Sequence, residues 1–149
     1  MLTNEQIEKR RKGIGGSDAR TIMYGDHEDW QALYNEKIHG TKPTFTAQQK
    51  LFMAMGHAIE PLCLEKFAAE VKPLQKPKST DPVAQMRYWA ADPFFFFSPD
   101  GITTDSHSVQ CKFHTGDKSI IELAEFYAPQ LLHEMLCMMR KKADRKSVV

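Results

Sequence analysis

The chain has 149 residues, 42% of them hydrophobic and 26% charged, with a formal net charge of +1. That length suits one domain with a sizeable core and one principal site, and the near-zero charge excludes a chain that holds polyanions through bulk charge. No apolar run approaches the roughly 20 residues of a membrane-spanning helix, and MLTNEQIEKRRKG lacks the apolar core of a secretory leader, so no membrane is expected and the cytoplasm is the expected compartment.

Thr3-Asn4-Glu5-Gln6 offers an N-cap for a polar helix running to about Arg11, which Gly13-Ile14-Gly15-Gly16 breaks. Ser17 or Asp18 can cap a second short helix ending at Tyr24-Gly25. Trp30, Leu33, Tyr34 and Ile38 recur at helical spacing over 29–38, closed by Gly40, and 41–46 reads as a loop. From Ala47 to Val71 the apolar set Leu51, Phe52, Met55, Ile59, Leu62, Cys63, Phe67 and Val71 predicts one long helix, with Gly56 and Pro61 marking a kink or a break. After Lys72-Pro73 the period shortens. Leu74–Lys78, Val83–Ala90, Phe94–Ser98, Ile102–Thr104 and Ser108–Phe113 read as strands of a meander, the phenylalanine run 94–97 being a buried strand. Ile120–Lys142 returns to a helix, and Ser147-Val148-Val149 resembles the start of a further strand. Helices flanking one small mixed sheet make the class α/β, in a single domain over 1–149.

Cys63, Cys111 and Cys137 are odd in number and widely spaced, which fits buried thiols rather than a disulfide framework or a structural zinc site. His133 and Cys137 lie four apart on one helix, yet two ligands without a third are better explained by packing. Two segments concentrate positive charge, Lys9-Arg10-Arg11-Lys12 and Arg140-Lys141-Lys142 with Arg145-Lys146. Each is either a solvated helix face or a phosphate contact, and the glycine-rich turn and Ser17 after the first favour an anion there.

The stretch SPDGITTDSHSVQCKF carries the chemistry. Phosphodiester cleavage needs a hard cation held by oxygens, an activated water and a second cation near the reacting oxygens. If the two strands form a hairpin, Asp100 faces Gln110 and Lys112, whose spacing of two puts them on one face, with the Cys111 carbonyl between them. Glu60 adds a carboxylate from the long helix. An acid followed by Q-x-K is a weak signal alone, because surface hairpins carry such pairs for solubility. His57 reads as a partner of Glu60 or as packing, and Asp105, His107 and His114 as hairpin surface.

RRKGIGGSDA at 10–19, the W-x-x-L segment with its K-x-x-G close at 30–40, MGHAIEPLCLEKF at 55–67, SPDGI at 98–102, VQCK at 109–112 and YAPQLLHEM at 127–135 together resemble the phage lambda exonuclease family, the YqaJ-type viral recombinase nucleases of the PD-(D/E)XK superfamily. The resemblance implies a restriction-endonuclease-like core and a Mg²⁺-dependent enzyme, Mn²⁺ substituting, that digests duplex DNA ends 5′ to 3′ for a single-strand annealing partner in a bacterial host. It implies metal ligation by Asp100, Gln110, the Cys111 carbonyl and Glu60, and catalysis by Lys112 with Tyr127 and Gln130 lining the site. It also implies a 5′-phosphate grip at Arg10 and Ser17, with Arg11 beside them. Gln110 departs from the family's glutamate: the amide offers an oxygen but no charge, which leaves open a scaffold that binds DNA ends or a partner protein without cutting. Family members continue past the last helix into a part that builds a ring-shaped trimer. This chain is thus expected to be a short form or a truncated one, and its homo-oligomerisation is left undecided.

Overall fold

The computed structural model describes residues 4–79, 81, 83–114 and 116–138. The helices α1 (Asn4–Arg11), α2 (Gly16–Tyr24) and α3 (His27–Tyr34) lead into a π-helical turn, Asn35–His39, and then into the long α4 (Ala47–Glu70). Four short strands follow, β1 (Arg87–Tyr88), β2 (Phe96–Phe97), β3 (Gly101–Ile102) and β4 (Ser108–Val109), before α5 (Ile120–Met138). Two compact units result: the described residues of Met1–Pro43, Pro77–Ser98 and Lys118–Val148, and those of Thr44–Lys76 and Pro99–Asp117.

In the first unit, α5 packs against both α2 and the antiparallel β1–β2 pair, and Ile14 adds a parallel bridge beside Phe95. The buried strand expected from the phenylalanine run is centred on Phe96 and Phe97, each 1% exposed, whereas Phe94 is exposed. Their neighbours Val83, Met86 and Cys137 complete the apolar core. His133 reaches that core from α5, its Nε2 lying 2.8 Å from the Phe96 carbonyl. A carbonyl can only accept, so Nε2 carries the proton. Cys137 is buried, and its thiol is pushed up to about 11 by that burial and by the Glu134 charge. Both side chains pack into this core, and His133 also bonds a strand carbonyl.

In the second unit, β3 and β4 form an antiparallel hairpin, with Gly101 opposite Val109 and Ile102 opposite Ser108. The chain leaving α4 runs antiparallel along β3, where Gln75 N–H donates to the Ile102 carbonyl at 2.7 Å and Leu74 bridges Thr103. Ser106 takes the left-handed conformation at the hairpin tip (φ 72), and the buried Thr103 hydroxyl, bonded to Asp105, accepts the His107 N–H.

Several expectations change. Gly15, not Ser17 or Asp18, is the N-cap of α2; Asp18 instead sits in the first turn and accepts the Gly15 N–H at 2.7 Å. The glycines allow the chain to hug the Phe96 ring, so the helix begins two residues early. The single meander is absent among the described residues: two two-stranded pairs stand in separate units, because polar turns and prolines leave only two laddered residues per strand. Neither Gly56 nor Pro61 ends α4, which is continuous over 24 residues, yet none of its residues is buried; Leu51, Met53 and Leu62 are exposed. Thr3, the basic cluster 140–146 and the strand start 147–149 lie outside the described residues.

Candidate active site

The β3–β4 register places Asp100 one step before the paired Gly101 and Gln110 one step after the paired Val109, so the two flank the end of the hairpin. The Asp100 carboxylate accepts the Cys111 backbone N–H at 2.6 Å. Lys112 extends its Nζ to within 3.3 Å of the Gln110 Oε1. Lys112 is exposed, whereas Asp100, Gln110 and Cys111 are partly covered.

Why Glu60 joins them follows from one stripe of α4. Gly56, Glu60 and Leu64 recur every four residues and therefore share a helix face. A Cβ at Gly56 would lie 3.6 Å from the Phe113 Cβ, and Leu64 lies against Gly101, whose missing side chain leaves room for it (3.1 Å from an added Cβ). The two contacts fix the stripe along the hairpin with Glu60 between them. His57 accompanies it, with Nδ1 4.0 Å from the Glu60 carboxylate.

The electrostatics reflect that convergence. Burial raises the Asp100 carboxyl to about 6, the Cys111 N–H opposes the rise, the Glu60 charge adds to it, and Lys112 and His57 counter it. Cys111 responds in the same sense: burial and then the Asp100 charge push its thiol up to about 11, so it stays a thiol at neutral pH and offers the site its backbone rather than its sulfur. The Asp100 and Glu60 carboxylates, the Gln110 amide and the Cys111 carbonyl are the oxygens here that could hold a hard divalent cation. Repulsion between Glu60 and Asp100 is what such a cation would relieve. Among the described residues no three His, Cys, Asp or Glu side chains gather as a metal cluster, so a cation here needs the amide and backbone oxygens as well.

Arg10, Arg11, Ser17, Tyr127 and Gln130 lie in the first unit. Arg10 Nη2 donates to Ser17 Oγ at 3.2 Å across the glycine turn, and Arg11 pairs with Glu8 at 3.2 Å. Tyr127 is half-buried with its ring edge-on to Phe126, and Gln130 is buried, donating to Glu134 at 2.8 Å beside Gly16. Lys37 and Glu134 were not expected at this site and Asp18 was expected only as a helix cap, yet all three are drawn inward at this turn. Only the four-residue spacing of Gln130 and Glu134 gave a sign of it. Asp105 is exposed and pairs with Lys72, while His114 Nδ1 accepts the Gly116 N–H in a turn. An open cleft of about 700 Å³ lined by Ile14, Ile22, Trp30, Tyr34 and Phe94 also lies in the first unit and contains none of the hairpin residues.

No helix among the described residues is long and apolar enough to cross a membrane. Neither the curated proteins nor the solved structures contain a match to this chain. The YqaJ-like viral recombinase domain, in contrast, matches residues 6–138, which span α2, α4, the hairpin and α5. With that match covering most of its length, the chain belongs to the YqaJ-like viral recombinase domain family.

Proposed function

We propose that the protein is a Mg²⁺-dependent deoxyribonuclease that digests duplex DNA ends 5′ to 3′ in phage-type recombination, on a restriction-endonuclease-like PD-(D/E)XK core. The observation that carries this reading is the convergence of Asp100, Gln110, Cys111 and Lys112 on one hairpin end with Glu60 facing it from α4. Membership of a viral recombinase family supports the same direction. Asp100, Gln110, Glu60 and the Cys111 carbonyl would hold the cation, which when bound supplies a water acidic enough to attack phosphorus and a charge on the scissile phosphate. Lys112 orients the attacking water and neutralises charge that develops on the phosphate oxygens. Glu60 takes a proton from that water as it attacks, the bond from phosphorus to the 3′ oxygen breaks, and that oxygen leaves with a proton from solvent water. Tyr127 and Gln130 serve the substrate, and Arg10, Arg11 and Ser17 receive the 5′-phosphate, so that cutting starts at an end. Mn²⁺ would substitute for Mg²⁺. The working place is the cytoplasm of a bacterial host, the product a 3′ single strand for an annealing protein, and a homo-oligomer would keep the enzyme on its DNA.

The test is one incubation of linear duplex labelled on either strand end, with Mg²⁺ or with EDTA. The expected result is cation-dependent loss of the 5′-terminal label, abolished in Lys112→Ala with the far-ultraviolet dichroism unchanged. Full cleavage by Lys112→Ala would overturn the assignment. A second reading, a scaffold that holds DNA ends or a partner without cutting, is favoured by one observation: the Gln110 oxygen brings no charge and already accepts from Lys112. It predicts salt-sensitive end binding and no loss of label.

A further inference from the structure

Lys37 reaches inward from the π-helical turn, and its surroundings do not resemble those of a solvated lysine. Its Nζ lies 2.5 Å from the Asp18 carboxylate, donates to the Arg10 carbonyl at 2.8 Å and stands 5.9 Å from the centre of the Phe96 ring. Both side chains of the Lys37–Asp18 pair are only 10% exposed. The same Asp18 oxygen holds the Gly15 N–H, and the Arg10 guanidinium, also 5.9 Å from the Phe96 ring, reaches Ser17. One ammonium therefore ties the end of α1, the glycine turn and the first turn of α2 to a common aromatic floor. The electrostatics are the more telling part. Asp18 places a negative charge in the turn that Arg10 and Ser17 border, and Glu134 lies against Gly16. An anion approaching that turn would be repelled unless a cation offset the acid.

We propose that Lys37 is a positioning residue of the 5′-phosphate grip: its ammonium cancels the Asp18 carboxylate and fixes the α1 end, so that a DNA 5′-phosphate meets Arg10, Ser17 and backbone N–H groups without an opposing charge. The inference rests on the reading of Arg10 and Ser17 as that grip. The turn's geometry can survive neutralising both partners, whereas removing Lys37 alone strands an acid.

Binding of the full chain to short blunt duplexes carrying 5′-phosphoryl or 5′-hydroxyl ends, in EDTA to prevent cutting, tests it through the ratio of the two dissociation constants. The wild type should favour the phosphoryl end, and Arg10→Ala should erase the preference. Lys37→Met should lower the ratio by about tenfold, Asp18→Asn alone should raise it severalfold, and Asp18→Asn with Lys37→Met should recover most of the loss. A generally loosened fold would weaken both ends alike and leave the ratio unmoved. A preference lost in Arg10→Ala but intact in a folded Lys37→Met overturns the inference alone. So does a double variant no better than Lys37→Met, or, should Lys37→Met not fold, an Asp18→Asn ratio equal to that of the wild type. A wild-type ratio of one, or one untouched by Arg10→Ala, removes the grip and the inference with it.

Discussion

Asp100 accepts a 2.6 Å hydrogen bond from the Cys111 N–H, yet its carboxyl is still raised from the ordinary 3.8 to about 6. Burial outweighs the hydrogen bond, and Glu60 adds to it, so the deprotonated hairpin end is held at a cost. The folded state binds this proton more tightly than the unfolded chain does. Stability contributed by the group is therefore complete below the ordinary carboxylate value and declines as the pH rises through about 6. In EDTA at about pH 8, Asp100→Asn should be more stable than wild type by on the order of 1–2 kcal/mol, allowing for solvent screening. The gain should fade towards about pH 4, while in separate assays with Mg²⁺ the variant should not cleave. Calorimetric melting at the two pH values checks the sign, and a less stable variant at the higher pH would refute it.

Gln110 is the place where one atom decides the charge of the site. Replacing its amide by a carboxylate, Gln110→Glu, puts a third negative charge beside Asp100 and Glu60. With the cation bound, this should tighten Mg²⁺ by on the order of tenfold. Without it, the added repulsion should push the Asp100 carboxyl higher still and lower the melting temperature. Titration of cleavage against Mg²⁺ measures the first effect and melting in EDTA the second. A variant that neither binds the ion better nor melts lower would mean that position 110 does not face the acids.

The Asp105 carboxylate holds the hairpin tip to the chain leaving α4 through Lys72, with Thr103 and His107 as further partners. The Lys72 hydrogen bond first, then the Thr103 hydroxyl, keep its carboxyl well below the usual carboxylate range. A lowered folded value gives stability that is present above the ordinary 3.8 and is lost as the pH falls below it. Asp105→Asn should accordingly melt lower than wild type at neutral pH, with the gap narrowing only in strong acid. Parallel melts across that range decide it, and a gap that is unchanged in acid would show that the charge is not responsible.

Residues brought together by local spacing were legible in the sequence: Tyr127 with Gln130 and Glu60 on the long helix follow from a period of about 3.6, and Gln110 and Lys112, two apart, do meet at 3.3 Å although both lie beyond the end of β4. The hairpin turn was legible too, because T-T-D-S-H concentrates turn formers between two apolar ends. What periodicity cannot carry is packing between elements. Nothing in K-x-x-G marks Lys37 as a buried partner of Asp18, since both the ion pair and the π-helical turn that presents it depend on contacts with α1 and α2. The strands are shorter than the alternating segments that hold them for a related reason. An alternating segment specifies a possible strand, but the ladder ends where a partner strand ends, and these pairs close after two residues.

Two glycines, finally, should answer oppositely to the same substitution. A Cβ on Gly13 would lie 2.2 Å from the Phe94 carbonyl oxygen, and backbone on both sides leaves no side chain free to move away. Relief would require breaking the bond from the Ile14 N–H to that carbonyl, 2.8 Å long, which docks the glycine turn on the sheet. Gly13→Ala should therefore cost more than about 2 kcal/mol and weaken end binding with it. Gly56 lies inside α4, where its Cβ would meet only Phe113 at 3.6 Å, an ordinary contact. Gly56→Ala should raise stability by about 0.5–1 kcal/mol through the lower backbone entropy of the unfolded chain, and leave cleavage near the wild-type rate. Denaturant melts of the two variants make the comparison. A destabilised Gly56→Ala would mean that α4 sits closer to the hairpin than the Phe113 contact indicates.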